Sequence, residues 1–226
     1  MALRIRQSVM YLPMRVWDLP TRLFHWLLVL LVPASYISMK LNKMDLHIVL
    51  GCAMLALLLF RWVWGFVGSD TARFGHFLGS PGTAVRYLRH IGTRAPDMQI
   101  GHNPAGGWMV LLLLVLLTVQ VAAGLCANDG SMTEGPLAKY VGPAWSDRLS
   151  LVHAITFKLI VAAIVLHVAA VFFYAVVKRQ NLVRPMLTGK KRLPAATRAP
   201  RQASPLLALA VLIVAAAVAA GVATLL

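Results

Sequence analysis

The sequence predicts an all-α integral membrane protein, a four-helix transmembrane bundle followed by a fifth, C-terminal transmembrane helix. Three observations carry this: composition, the length of the apolar runs, and the placement of basic residues. Of 226 residues, 59% are hydrophobic and 13% charged, whereas a soluble domain is roughly half apolar and a quarter charged. The surplus apolar surface has to face lipid. Runs near 20 residues cross a hydrocarbon core of roughly 30 Å as helices, and such runs stand at 22–39, 46–67, 107–126, 149–177 and 206–226.

The formal net charge is +15, but its distribution argues against nucleic acid as a partner. Basic residues gather in alternate segments between the apolar runs. Arg4, Arg6, Arg15 and Arg22 lead the chain, Arg73, Arg86, Arg89 and Arg94 lie in the 68–106 loop, and eight more lie between 178 and 201. The other two loops hold Lys40, Lys43, Lys139 and Arg148 against Asp45, Asp129, Glu134 and Asp147. The positive-inside rule then predicts a cytoplasmic N-terminus, odd-numbered helices running outward and a periplasmic C-terminus.

The first run reads as an uncleaved helix rather than a signal peptide, because no clean small-x-small cleavage site follows it. Cys52 and Cys126 lie in or at the ends of apolar runs and read as packing residues, not as a disulfide framework. The second run closes on Arg61-Trp62-Val63-Trp64-Gly65-Phe66, aromatic rings and a cation suited to the headgroup level. Beyond it, Pro81 and Gly92 bracket a pattern with Ala84, Tyr87, Leu88 and Ile91 on one face and Arg86, Arg89 and His90 on the other. This predicts a helix lying in the membrane plane, with a solvated basic loop as the alternative.

The fifth run contains Ala, Val and Leu without aromatic, histidine or charge, so it offers no chemistry. The chain therefore divides into a functional core at 1–189, a basic cytoplasmic linker beside anionic lipid at 190–205, and an anchor helix at 206–226.

Within the core, ionisable groups in apolar runs are the functional candidates, since each is expensive to place there. His25 lies near the inner end of the first helix and His47 near the outer end of the second, while His153 and His167 share the fourth. Fourteen residues at 100° each return to within about 40° of the starting face, so both rings of the fourth helix point into one side of the bundle. They are separated by about 21 Å along the axis. Depth pairs His25 with His167 and His47 with His153. A planar cofactor whose metal takes two axial ligands fits two such levels, and a b-type haem is one. Zinc wants three or four protein ligands at one depth, and without Cys-x-x-Cys-His the attachment would be non-covalent. An ordinary interhelical hydrogen bond remains the alternative for any one of these histidines. Lys158 stands about 140° around the helix from His153, off the ligand face. His76 and His90 read as surface residues.

Several motifs then resemble a known family. Val16-Trp17-Asp18-Leu19-Pro20-Thr21-Arg22-Leu23-Phe24-His25-Trp26 opens the core, and Leu46-His47 with Gly51 begins the second helix. Residues 61–69 close that helix, Gly101-His102-Asn103-Pro104 opens the third, and residues 181–190 follow the fourth. Over about residues 14–192 the chain resembles the bacterial diheme b-type cytochromes, cytochrome b561-like proteins that include the membrane subunit of nickel-iron hydrogenases. The resemblance implies two non-covalent, bis-histidine b haems in the bacterial inner membrane and exchange of electrons with the quinone pool. His25 and His167 would ligate one iron, His47 and His153 the other. Arg22 and Arg61 are candidates to pair with haem propionates, or else ordinary positive-inside arginines. Gly51, one turn after His47, would let a porphyrin approach the backbone, or simply serve helix packing. His102 and Asn103 are candidates for a quinone or proton-handling site.

The resulting expectation is an electron-transfer subunit passing electrons between a redox partner, hydrogenase-like or cytochrome c-like, and quinone. The competing expectations are a stand-alone superoxide- or other donor:quinone oxidoreductase and a cofactor-free anchor or transporter with a histidine proton relay. The fifth helix lies outside the resemblance, and the 127–148 loop shows no docking motif for a hydrogenase.

Overall fold

The computed structural model describes residues 10–92, 98–130 and 133–225. Arg4, Arg6 and Arg94 lie outside the described residues. A strand β1 (Tyr11–Arg15) precedes α1 (Leu19–Lys40) and α2 (Met44–Val67), and the short α3 (Phe74–Phe77) and α4 (Pro81–Arg89) follow. Next come α5 (Pro104–Leu125), the one-turn α6 (Ala138–Val141), the long α7 (Pro143–Val176), α8 (Val183–Thr188), β2 (Lys190–Pro194) and α9 (Pro205–Ala223). Helices α1, α2, α5, α7 and α9 are each long and apolar enough to cross a membrane. Their exposed side chains include Leu30, Val49, Val165, Phe172 and Ile213, which is the lipid-facing surplus that composition requires. The fold is an all-α membrane bundle.

Helix starts are written locally. Asp18, Ser80, Asn103 and Ser204 each stand just before a helix with proline in its first turn, and each side chain accepts from a backbone N–H of that turn. This is the N-cap arrangement followed by a residue that needs no hydrogen bond there. Asp18 also bridges two helices, because its Oδ1 accepts from Thr21 N at 2.7 Å while Oδ2 accepts from Trp64 Nε1 at 3.0 Å. The start of α1 is thereby tied to the end of α2. Arg61, 2% exposed, donates to Ala72 O at 3.1 Å and sits 5.0 Å over the Phe74 ring, holding the chain that leaves α2 against the bundle.

Helix α5 packs along α7, α2 packs against α1 and α5, and α9 lies on the outer side of α2. Ala208 and Ala215 of α9 are buried there with Phe60 and Trp64, and Ala219 is buried beside Cys52, Ala53 and Ala56. Small residues allow that close approach.

Two stretches differ from what the sequence suggests, and the helix expected after Pro81 forms. Helix α7 begins at Pro143 rather than near 149, because Ser146 Oγ donates to Cys126 O at 2.7 Å and anchors an extra polar turn. The amphipathic segment after Pro81 is helical through Arg89. The 190–205 linker opens with β2, which pairs antiparallel with β1, Tyr11 opposite Pro194 and Arg15 opposite Lys190. Val16 and Leu193 are fully buried beneath this ribbon with Trp17.

Candidate metal centres

Two histidine pairs form between helices remote in sequence. His25 of α1 faces His167 of α7 with ring centroids 6.4 Å apart and planes at 57°. His47 of α2 faces His153 of α7 at 6.1 Å and 84°. The pairs lie about 21 Å apart along α7. The four rings are half-buried, and among the described residues no three His, Cys, Asp or Glu side chains converge on a point. A cage built from protein ligands is therefore not what these residues make.

The spacing suits a bis-imidazole iron. With metal–nitrogen bonds of about 2 Å on each side, two axial imidazoles have centroids about 6 Å apart. Rings in direct contact also stand about 4.5–7 Å apart, so the weight falls on the repetition of this spacing at two levels of α7.

The contacts behind His47 and His153 agree. His47 Nδ1–H donates to Ser35 O at 2.9 Å, with Ser35 Oγ at 3.1 Å. His153 Nδ1–H donates to Gln120 O at 2.8 Å. A helix carbonyl thus fixes each tautomer and leaves Nε2 with the free lone pair, the usual arrangement behind a metal-bound imidazole. Gln120 Nε2 donates to His153 Nε2 at 3.1 Å, while its own Oε1 is buried without a partner. Around the His25–His167 pair, His25 Nδ1, Arg61 Nη1 and His102 Nδ1 are all buried without hydrogen-bond partners. Such groups are costly to leave alone, and a carboxylate-bearing planar group between His25 and His167 would answer that need.

A family profile described as prokaryotic cytochrome b561 matches residues 16–189. The chain belongs to that family. No curated protein and no solved structure matches it. As a cytochrome of this family it is a multi-pass membrane protein that binds haem b and works in electron transfer. The matched stretch ends just before β2, so α9 lies outside it.

The remaining candidate residues fall in different places in this cytochrome. Arg22 is committed to the end of α8: its Nε donates to Met186 O at 3.2 Å and its Nη2 to Leu187 O, with Trp26 Nε1 donating to the same Met186 carbonyl at 3.2 Å. The last carbonyls of a helix are a natural place for a cation. A Cβ on Gly51 would meet nothing within 4 Å, so open space stands beside it. Asn103 is engaged at both ends, Oδ1 accepting from Gly106 N at 2.7 Å and Nδ2 donating to Tyr174 OH at 2.7 Å. His102 lies between Trp17, with centroids 4.6 Å apart, and Phe77, 4.8 Å apart, both rings tilted at 56° to its own. Burial, with Arg61 nearby, lowers its pKa to about 3, so at neutral pH its imidazole is uncharged. It lines a polar recess of about 670 Å³ that also touches Arg73, Arg198 and Arg201. His76 and His90 are surface residues, the first 3.9 Å from Asp70 and the second bonded to Arg86 O at 2.9 Å.

Two further residues touch His153 and are absent from the sequence candidates. Gln120 is the polar residue of α5 that touches a candidate ligand, and a glutamine within an apolar span is itself a signal. Gly124 lies against the same ring, where a Cβ would stand 2.7 Å from His153 Cε1. Nothing in the sequence distinguishes that glycine from one that serves helix packing.

Proposed function

We propose that this cytochrome carries electrons through the membrane on two b haems in series, His25 and His167 holding the inner one and His47 and His153 the outer. The observation that carries the reading is the repeated imidazole spacing near 6 Å at two depths of one bundle. With both axial positions filled by protein, the bound group supplies one-electron transfer rather than oxygen chemistry. The chain's own residues hold and orient it. Ser35 and Gln120 carbonyls fix the outer rings, and Arg61 Nη1 and His102 stand ready at the inner level as hydrogen-bond partners for propionates.

In this reading one end of the pathway meets a redox partner protein and the other the quinone pool, in the bacterial cytoplasmic membrane with the N-terminus inside. The charge bias of the loops supports that orientation. The recess beside His102 is the best candidate for a quinone headgroup at the inner face.

The deciding experiment is a pyridine haemochrome count on the purified chain, followed by mixing the reduced protein with a short-tailed quinone. Two haems per chain and reoxidation within the mixing experiment are expected. A single haem would end the two-centre reading, and reduced haem that persists with quinone would end the quinone assignment.

A further inference from the structure

Two residues that line the recess beside His102 each bury a nitrogen that finds no hydrogen-bond partner. One is His102 itself, at Nδ1, and the other is Arg73, at Nε. Arg73 is held by Asp70, whose Oδ1 accepts from its Nη2. Its guanidinium is thereby fixed while Nε stays unsatisfied, a costly state for a buried donor. Arg198 and Arg201 line the same recess. Both are exposed, and Arg198 takes part in no ion pair among the described residues. Asp70 is the one carboxylate among the described residues that line the recess, and it is already engaged by Arg73 and by Arg201 N, the latter at 2.8 Å. Three guanidinium groups therefore meet one committed carboxylate, and the surplus charge calls for an anion.

The exposed arginines come from a docked segment. Asp70 N donates to Arg201 O at 3.1 Å, and Ala203 N donates to Ser69 Oγ at 2.9 Å. Residues 198–201 lie beyond the stretch that the cytochrome b561 profile covers, so this wall stands outside the family core. The recess also has a definite depth. Helix α2 ends at Val67, three residues before Asp70; α5 begins at Pro104, two after His102; α9 begins at Pro205, four after Arg201. Three spanning helices thus begin or end around it, which sets it at the level of lipid headgroups. At the adjoining helix ends Phe66, Val67 and Leu206 are exposed and apolar.

We propose that the arginine side of this recess binds the phosphate of an anionic phospholipid whose acyl chains lie along the exposed ends of α2 and α9. Guanidinium forks match phosphate oxygens in geometry and charge, and basic pockets between spanning helices suit acidic headgroups. Position favours a lipid over free phosphate, because a cationic lining adjoins exposed apolar helix ends, as the two parts of a lipid require. Phosphatidylglycerol suits the site better than phosphatidylcholine, whose trimethylammonium group would be brought up against the same arginines. The quinone reading concerns the His102 wall, and lipid retention is measured without quinone, so either assignment can fail alone.

The test is native mass spectrometry of the full haem-loaded chain in a nonionic detergent, titrated with phosphatidylglycerol, phosphatidylcholine or inorganic phosphate. One phosphatidylglycerol per chain should be retained at a concentration about tenfold lower than phosphatidylcholine requires, and Arg198→Gln should weaken its retention about fivefold. Arg201 docks through backbone atoms, so its substitution keeps the segment in place. Arg198→Gln combined with Arg201→Gln should bring the two lipids level, with haem content unchanged. Arg86→Gln with Arg89→Gln on α4, another basic element at this face, should leave the preference intact. Equal retention of the two lipids by the parent chain would overturn the proposal. So would an equal loss of preference from the α4 substitutions, which would mean that the basic face attracts acidic lipid without a site. Displacement of the lipid by an equal concentration of inorganic phosphate would overturn it as well, marking a site for soluble anions.

Discussion

His47 and His153 face each other edge to plane, with centroids 6.1 Å apart and ring planes at 84°, whereas His25 and His167 stand at 57°. Each pair joins α7 to a different helix, so the two centres are built from separable parts. Replacing His47 or His153 with Ala should therefore remove one haem per chain and leave the other, and replacing His25 or His167 should remove the complementary one. Haemochrome counts combined with redox titration of the survivor check this. Loss of both haems from a single folded variant would contradict the pairing.

Gly124 and Gly51 should behave oppositely although both lie beside the outer pair. An added Cβ at Gly124 meets His153 Cε1 at 2.7 Å and Nδ1 at 2.9 Å, closer than such atoms ever sit, and the ring has to move. Overpacking of this kind costs about 1–3 kcal/mol. Gly124→Ala should lower outer-haem occupancy well below one, while Gly51→Ala, which meets nothing within 4 Å, should keep both haems. Equal haem content in the two variants would show that His153 is not held where α5 places it.

What can be read from the sequence, and what cannot, follows from the range of the signals. The histidines are legible because a polar ring in an apolar run is costly, and because a helical separation of fourteen residues fixes a shared face. The role of Arg22 is not, since its carbonyl partners on Met186 and Leu187 come from the far end of the chain. The ribbon joining Tyr11–Arg15 to Lys190–Pro194 is hidden for the same reason: five residues, one of them Pro13, carry little strand pattern, and the pairing exists only after the bundle has formed. The early start of α7 is masked by Ser146, Asp147 and Arg148, which read as loop until Cys126 O is seen to need a donor.

Gln120 tests whether backbone or side chain anchors the outer ligand. Its carbonyl receives His153 Nδ1–H at 2.8 Å, and its amide donates to Nε2 at 3.1 Å. Only the first contact is compatible with a metal on Nε2. Gln120→Leu should thus retain two haems per chain, losing a side-chain bond of about 1 kcal/mol that iron binding forgoes in any case. If the outer haem disappears with this substitution, the side chain and not the carbonyl positions the ring.

Asp70 ties the C-terminal segment to the haem-binding core. Its Oδ2 accepts from Arg201 N at 2.8 Å, its own N–H donates to Arg201 O at 3.1 Å, and Arg73 adds an ion pair. The hydrogen bond from the Arg201 backbone, followed by Arg73, holds the carboxyl below the ordinary carboxylate range. A group whose folded pKa is depressed contributes stability that is complete above its unfolded value and is lost as pH falls through the folded one. The linker should therefore stay docked from neutral pH down to about 5, and loosen only below about 4, where an unperturbed aspartate protonates. Asp70→Asn should reproduce the acid behaviour at pH 7. Limited trypsin cleavage after Arg198 and Arg201 reports it: faster cutting in the variant than in the parent, with haem content unchanged, is the expected result. Parent-like cleavage would mean that α9 packing on α2, rather than this carboxylate, fixes the segment.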